Sequence, residues 1–89
     1  MGTAGIKIKI MPSSVEADLE KIKTKAKQIV EANQGKNREY EEEPIAFGLK
    51  AIIAFFEISE EQELEPIEES FKNIENVNSI QVIDMRKLD

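Results

Sequence analysis

Cysteine and histidine are both absent from this 89-residue sequence. Their absence excludes disulfides, thiolate chemistry and the usual zinc sites, and it leaves no side chain that ordinarily titrates near neutral pH. No apolar run approaches the roughly 20 residues that cross a membrane, and Ile6 stands where a myristoylation signal requires serine or threonine. We therefore expect a cytoplasmic protein that neither spans a membrane nor is anchored to one.

The sequence also lacks the motifs of the common catalytic and metal sites. Its four glycines are isolated from one another, so there is no phosphate-binding loop, and its serines have no histidine to activate them. In an extended segment Glu41 and Glu43 share a side that Glu42 opposes, which favours a solvated edge over a cation site. The acidic segment 60–65 lacks the spacing of a calcium loop. We expect no enzyme activity, no metal and no cofactor.

Length and charge limit the remaining possibilities. Eighty-nine residues make a single domain, residues 1–89, and the hydrophobic fraction of 40% is that of a soluble globular protein. The net charge of −6 repels phosphate backbones, so nucleic acid is not an expected partner. The one dense basic run should be the solvated flank of a helix, because its alternate positions fan around the helix axis. That run is Lys21, Lys23, Lys25 and Lys27.

The first half of the sequence predicts a strand, a helix and a second strand. Ile6, Ile8 and Ile10 alternate with lysines, which indicates a strand that ends at Pro12. Ser13 and Glu16 form a capping-box pattern at the start of the helix. The core-facing stripe of that helix is Val15, Leu19, Ile22, Ala26, Ile29 and Val30. Residues 33–35 end it, and residues 36–45 hold Tyr40 among charges, as in an edge strand.

The second half repeats this order. Residues 49–58 are nearly all apolar and rich in isoleucine and phenylalanine, which favours a central strand. The next stripe predicts a helix with Pro66 in its first turn, and it consists of Leu64, Ile67, Phe71 and Ile74. After a turn at residues 76–79, a last strand contains Ile80, Val82 and Met85, and residues 86–89 form a tail.

Two strand-helix-strand halves with right-handed crossovers predict an α+β, ferredoxin-like βαββαβ sandwich. We expect a four-stranded antiparallel sheet of order 4-1-3-2 with two helices on one face. Because Ile53 and Phe55 alternate with Ile52 and Phe56, apolar groups should also reach the helix-free face. An exposed apolar face there would mark a partner surface.

The segment from Glu42 to Lys50 should form a hairpin. Pro44 lacks the N–H that a central strand needs, and Gly48 can take the positive φ of a tight turn. Phe47 then lies either at the hairpin tip or folded into the core beneath it. Residue chemistry favours the buried position, because large aromatic side chains are usually buried.

The run Pro44-Ile45-Ala46-Phe47-Gly48-Leu49-Lys50 and the ending Met85-Arg86-Lys87-Leu88 resemble the exchange domain of the elongation factor 1-beta family in its short archaeal-type form. The resemblance covers essentially the whole chain. It implies a guanine nucleotide exchange factor of translation that promotes GDP release and GTP reloading on the GTPase elongation factor 1-alpha. It does not imply a multi-subunit complex, because the region by which longer relatives join other subunits is not present in this sequence.

The same resemblance implies roles for individual residues. In the family, the phenylalanine before the hairpin glycine contacts the partner, and a lysine near the C-terminus reaches the partner's magnesium and phosphate site. The partner-binding residues are then Phe47, Ile45, Ala46, Gly48 and Met85. Lys87 is the acting lysine, and Arg86 is the alternative because Asp89 follows Leu88 whereas the family lysine is usually next to last. We expect a monomer.

Two other interpretations of the fold remain, because this sandwich carries many unrelated activities. One is a small ligand-sensing or protein-interaction module, which in its ligand-sensing form should be an obligate oligomer. The other is an acylphosphatase-like enzyme, which needs an arginine in the loop after the first strand. Residues 11–14 of that loop read Met-Pro-Ser-Ser, so this interpretation ranks last.

Overall fold

The computed structural model describes residues 2–88. Its elements are β1 (Thr3–Pro12), α1 (Leu19–Ala32), β2 (Lys36–Ala46), β3 (Leu49–Ser59), α2 (Glu65–Lys72) and β4 (Val77–Lys87). The strands form one antiparallel sheet in the order β2-β3-β1-β4. This is the predicted order read from the opposite edge, so the predicted ferredoxin-like α+β architecture is confirmed.

One apolar core lies between the sheet and both helices. Ile6, Ile8 and Ile10 of β1 are buried in it, because alternate residues of a strand face the same side. Buried residues of α1 and α2 belong to the same cluster, so both helices cover the same face of the sheet. Phe56 of β3 meets Phe71 of α2 edge to face, with 6.0 Å between the ring centroids.

Helix α1 begins later than the capping-box pattern predicted. Asp18 is the N-cap, and its side chain accepts hydrogen bonds from the backbone N–H groups of Glu20 and Lys21. Ser13 instead donates its backbone N–H to the carbonyl oxygen of Asn76, at 2.8 Å. The predicted start was wrong because this contact with a distant segment holds residues 13–18 outside the helix.

Val15, which was predicted in the core stripe, therefore lies in the loop between β1 and α1. Its side chain is 61% exposed. The rest of the predicted stripe is correct, since Ile22, Ala26 and Val30 are buried and two further members are partly buried against the core, namely Leu19 and Ile29. The stripe therefore starts at the first residue of α1, one turn later than predicted.

Helix α2 is shorter than its apolar stripe. Leu64 is the N-cap residue, Pro66 falls in the first turn as predicted, and Ile67 and Phe71 are buried. Ile74 lies two residues past the end of the helix and still packs into the core. The stripe therefore predicted which side chains are buried better than it predicted where the helix ends.

Strand β4 is longer than predicted at both ends. Val77 pairs with Pro12, and Lys87 pairs with Ala4. The predicted turn at residues 76–79 is reduced to Asn76, which has a φ of 69°, and most of the predicted tail is strand. Pairing along the whole of β1 extends β4, because each added residue satisfies backbone groups in the ladder. Asp89 lies outside the described residues.

The helix-free face of the sheet carries apolar side chains, as predicted, but they are covered. Ala51 and Ile53 are buried on this face. An ion pair between Lys9 of β1 and Glu43 of β2, with 3.3 Å between Nζ and Oε1, spans the strand that carries them. Long charged side chains cover apolar surface in this way while their charges stay in water. The apolar residues at the centre of this face are therefore not a free surface.

Strand β2 is an edge strand, as predicted, and Tyr40 anchors it to α1. The Tyr40 hydroxyl donates a hydrogen bond of 2.6 Å to Asn37 Oδ1, and Lys27 Nζ lies 5.2 Å from the ring centroid. Burial raises the pKa of the Tyr40 hydroxyl above its usual range, and the charge of Glu31 adds to the shift. Tyr40 is therefore a neutral, packed side chain on a strand that is otherwise mostly charged.

Candidate partner interface at the two ends of the sheet

The hairpin between β2 and β3 turns through two residues. Ala46 pairs with Leu49, and between them Phe47 and Gly48 have φ values of 54° and 80°. Positive φ at both central residues is the pattern of the type I′ turn, which matches the twist of paired strands. Gly48 adopts this conformation without strain, whereas the backbone of Phe47 is strained by roughly 1–2 kcal/mol. Ile45 is the extra residue at a register shift just before the turn.

Phe47 is 100% exposed, so the prediction that favoured a buried ring was wrong. The turn itself is the reason, because a tight two-residue loop carries its central side chains beyond the last strand pair. Ile45 is 39% exposed, and Ala46 and Gly48 are also exposed. The predicted partner-binding residues of the hairpin therefore form one accessible surface.

Lys87 and Arg86 lie at the other end of the sheet. They are consecutive residues of β4, opposite Ala4 and Gly5 of β1, so their side chains point to opposite faces of the sheet. Both cations are ion-paired: Lys87 Nζ lies 3.6 Å from Glu60 Oε2, and Arg86 Nη2 lies 2.9 Å from an Asp84 carboxylate oxygen.

Leu88 holds the C-terminal end of β4 against β1. Its backbone N–H donates a 2.8 Å hydrogen bond to the carbonyl oxygen of Thr3. A Cβ atom on Gly5 would lie only 3.2 Å from the Leu88 side chain and from the ring of Phe55, so the glycine leaves room for the leucine. Lys87 therefore lies between two residues that both contact β1, Arg86 opposite Gly5 and Leu88 bonded to Thr3.

The hairpin and Lys87 are not brought together. Lys87 is opposite Ala4, and Ala4 is opposite Ile58 of β3. The separation between Phe47 and Ile58 is 11 residues along the strand, which corresponds to about 36 Å. The longest dimension of the molecule is 43 Å, so the predicted binding ring and the predicted acting lysine mark its two ends.

Exposed large apolar residues fall into two groups. Among residues 2–88 they form one group near the hairpin and one group on and after β4, namely Val15, Ile45 and Phe47, and Ile83, Met85 and Leu88. The sequence prediction missed Val15 and Ile83. Asp18, a second possible N-cap, was the signal for the first. The adjacent apolar pair at residues 82 and 83 breaks strand alternation and was the signal for the second.

Two of the three carboxylates in the acidic run at residues 41–43, those of Glu42 and Glu43, form ion pairs. Glu42 accepts a 2.8 Å hydrogen bond from Lys23, whose side chain is only 16% exposed, so the prediction of a solvated lysine flank was wrong at this position. That hydrogen bond lowers the pKa of Glu42 and raises the pKa of Lys23. Within residues 2–88, no group of carboxylates is arranged to hold a metal ion.

An open groove lies between α1 and the segment after α2. Its volume is about 710 Å³, its apolar wall includes Ile22, Ile29 and Ile74, and its rim carries both lysines and carboxylates. Because the rim has charges of both signs, it does not specify the charge of a ligand.

Neither helix in the described part of the chain has the length and apolar character to cross a membrane.

Fold and surface together define a small α+β domain with exposed apolar side chains near the hairpin and along β4. The sequence profile of a family described as the EF-1 guanine nucleotide exchange domain matches residues 5–88. A protein named elongation factor 1-beta from Methanosarcina barkeri is 42% identical over 99% of this chain and 100% of its own length. Proteins of the same name are 40% and 41% identical in Methanococcus maripaludis strain C7 and Methanocaldococcus jannaschii, each over 96% of this chain and 97% of the relative. The chain belongs to the EF-1 guanine nucleotide exchange domain family.

Proposed function

We propose that this protein is a guanine nucleotide exchange factor that binds the GTPase elongation factor 1-alpha and promotes GDP release and GTP reloading. The observation that carries the proposal is the fully exposed Phe47 ring on a two-residue turn in a chain of the exchange domain family. In this role the protein supplies no covalent chemistry of its own. It acts in the cytoplasm, where translation takes place.

Phe47 anchors the complex. Burying a phenylalanine side chain that is exposed in the free protein stabilises a complex by roughly 1.5–3 kcal/mol. The turn holds the backbone of Phe47 in its left-handed conformation before the partner arrives. Little conformational entropy is then lost from the hairpin on binding, which leaves more of the burial energy for affinity.

Lys87 weakens the hold of the GTPase on its nucleotide. A GTPase binds GDP largely through Mg²⁺ and oriented phosphate contacts, so an ammonium group near the metal repels the cation and offers the phosphate-binding groups a substitute charge. The 3.6 Å contact with Glu60 is an exposed ion pair, and such pairs are weak enough to be exchanged for another partner. By reciprocity, tighter binding to the empty GTPase lowers nucleotide affinity by the same free energy, about 1–3 kcal/mol in coupled systems.

Arg86 is the weaker candidate for this role. Its side chain points to the opposite face of the sheet from Lys87 and is held by the closer ion pair with Asp84. A rigid β4 cannot present both side chains in the same direction. Met85 lies opposite Ile6 and is exposed, so it contributes apolar contact next to Lys87.

The separation of about 36 Å between the two sites requires a partner that contacts both ends of the sheet. Binding and exchange should then be separable by mutation. We expect Phe47→Ala to weaken the complex with elongation factor 1-alpha by at least about tenfold, because an exposed anchor is lost. We expect Lys87→Ala to leave the dissociation constant within about threefold, because a rim charge adds little affinity, and to slow GDP release.

The experiment measures release of a fluorescent GDP analogue from purified elongation factor 1-alpha at saturating concentrations of each variant. Arg86→Ala is the matched control, because it removes the neighbouring cation from the opposite face. Equal release rates for wild type and Lys87→Ala would rule out the role of Lys87. No acceleration of release by the wild type would rule out the proposed function.

A further inference from the structure

Val15 lies beside the turn that carries Phe47. One of its methyl carbons is 3.9 Å from the position that a Cβ atom on Gly48 would occupy, which is van der Waals distance. Although it is a branched apolar residue, its side chain is 61% exposed. With Ile45 and Phe47 it forms an exposed apolar cluster drawn from two segments that are about 30 residues apart in the sequence.

Hydrogen bonds hold the loop that carries Val15 in place. Ser13 N–H bonds to the carbonyl oxygen of Asn76, and Ala17 N–H bonds to that of Ser14 at 3.3 Å. The hydroxyl of Ser14 also accepts the N–H of Glu16. These bonds fix the backbone on both sides of Val15, so its exposure is a property of the folded loop.

A protein interface is larger than the area that one phenylalanine side chain can fill. A standard interface buries about 800 Å² on each partner, whereas a phenylalanine side chain supplies only about 150–250 Å² of it. A partner that covers Phe47 must therefore cover the surface around it. Beside Phe47, the exposed large apolar side chains near the turn are Val15 and Ile45.

We propose that Val15 is a partner-binding residue, and that the β1–α1 loop and the hairpin form one apolar docking surface for elongation factor 1-alpha. This inference rests on the proposed function. It extends the contact beyond the hairpin to a segment that the sequence pattern assigned to a helix. The matching surface on the partner is apolar and concave, because it must enclose a protruding ring and the methyl groups beside it.

Val15→Asp tests the proposal by titration with elongation factor 1-alpha. A carboxylate in an apolar interface loses its hydration, so we expect the dissociation constant to rise about tenfold. The rate of GDP release at saturation should stay within about twofold of the wild type, because Lys87 is unchanged. Gln28→Glu is the control, because it adds the same charge at an exposed position on α1.

A second measurement uses the wild-type chain and needs no variant. With methyl-labelled protein, irradiation of the protons of bound elongation factor 1-alpha should reduce the Val15 methyl signals together with those of Ile45.

Val15→Thr, which keeps the branched shape, replaces Val15→Asp in the titration if the aspartate shifts the backbone resonances of residues 44–49 in the free protein.

The outcomes are distinct. Wild-type affinity for Val15→Asp, or unaffected Val15 methyl signals beside reduced Ile45 signals, would overturn this inference and leave the proposed function in place. Failure of the wild-type chain to bind elongation factor 1-alpha would overturn the proposed function and this inference together.

Discussion

At the scale of single residues, Lys23 was predicted to be a solvated lysine, but it forms a structural contact with Glu42. Lys23 bonds both to Glu20 one turn earlier on α1 and to Glu42 on β2. The second contact joins residues 19 apart in sequence, so helical spacing alone does not reveal it. It brings an edge strand and a helix together through a partly buried ion pair.

The pH dependence of stability should report this pair. The lowered pKa of Glu42 contributes stability above its ordinary value of 4.5 that is lost as pH falls through the folded pKa. The raised pKa of Lys23 contributes stability below 10.5 that is lost as pH rises through its folded pKa. Glu42→Gln should therefore lower Tm between these limits, and the difference from wild type should shrink outside them.

Thermal unfolding over a pH series measures this difference. Glu41→Gln is the control, because Glu41 lies on the opposite face of the same strand. A Tm difference for Glu42→Gln that does not change below pH 4 or so would show that the hydrogen bond to Lys23 is not its source.

At the scale of elements, the start of α1 was decided by competition between two capping sites. Both Ser13 and Asp18 are residue types that cap helices well. The loop bond from Ser13 to Asn76 joins it to the segment before β4 and leaves Asp18 as the cap. The choice exposes Val15 and so creates part of the candidate docking surface.

Substitution of the two caps tests this assignment. Asp18→Ala should lower the free energy of unfolding by about 1 kcal/mol, because two backbone N–H groups of the first turn lose their acceptor. Ser13→Ala should change it by less than about 0.5 kcal/mol, because only its backbone N–H makes the tertiary bond. Urea denaturation measures both values, and a larger loss for Ser13→Ala would contradict the observed helix start.

At the scale of the whole molecule, the sheet holds two surfaces apart. β3 runs from the hairpin to the level of Lys87, and it pairs with β2 over residues 49–57 and with β1 over residues 52–59. This extended pairing separates Phe47 from the level of Lys87 by about 36 Å along the strand. Phe47 and Lys87 are therefore two separate candidate contact points.

Distant contact points predict additive effects. The losses in second-order exchange rate for Phe47→Ala and Lys87→Ala, each converted to a free energy as RT ln of the rate ratio, should add in the double variant within about 0.5 kcal/mol, because the sites are far more than about 10 Å apart. The measurement is GDP release at concentrations of the protein below saturation. A double variant that loses no more exchange rate than the more severely affected single variant would show that the two residues act as one unit.

Most of the architecture followed from local pattern. Alternation in the first strand, the apolar run of the third and the helical stripes predicted the element order, because periodicity of two or 3.6 decides which face is buried. The order of strands in the sheet followed from the right-handed crossovers that the two strand-helix-strand halves require. The hairpin corner was also predictable, since proline restricts the backbone locally and glycine permits the positive φ of a tight turn. The two candidate contact motifs could be located by resemblance alone.

What only the tertiary structure decided is where the side chains of the candidate site lie. The exposure of Phe47, the late start of α1 and the inclusion of Lys87 in β4 all depend on pairing between segments far apart in sequence. Periodicity within a segment is set by the segment itself, whereas cap choice, strand length and exposure are set by whichever distant backbone or side chain supplies the competing contact.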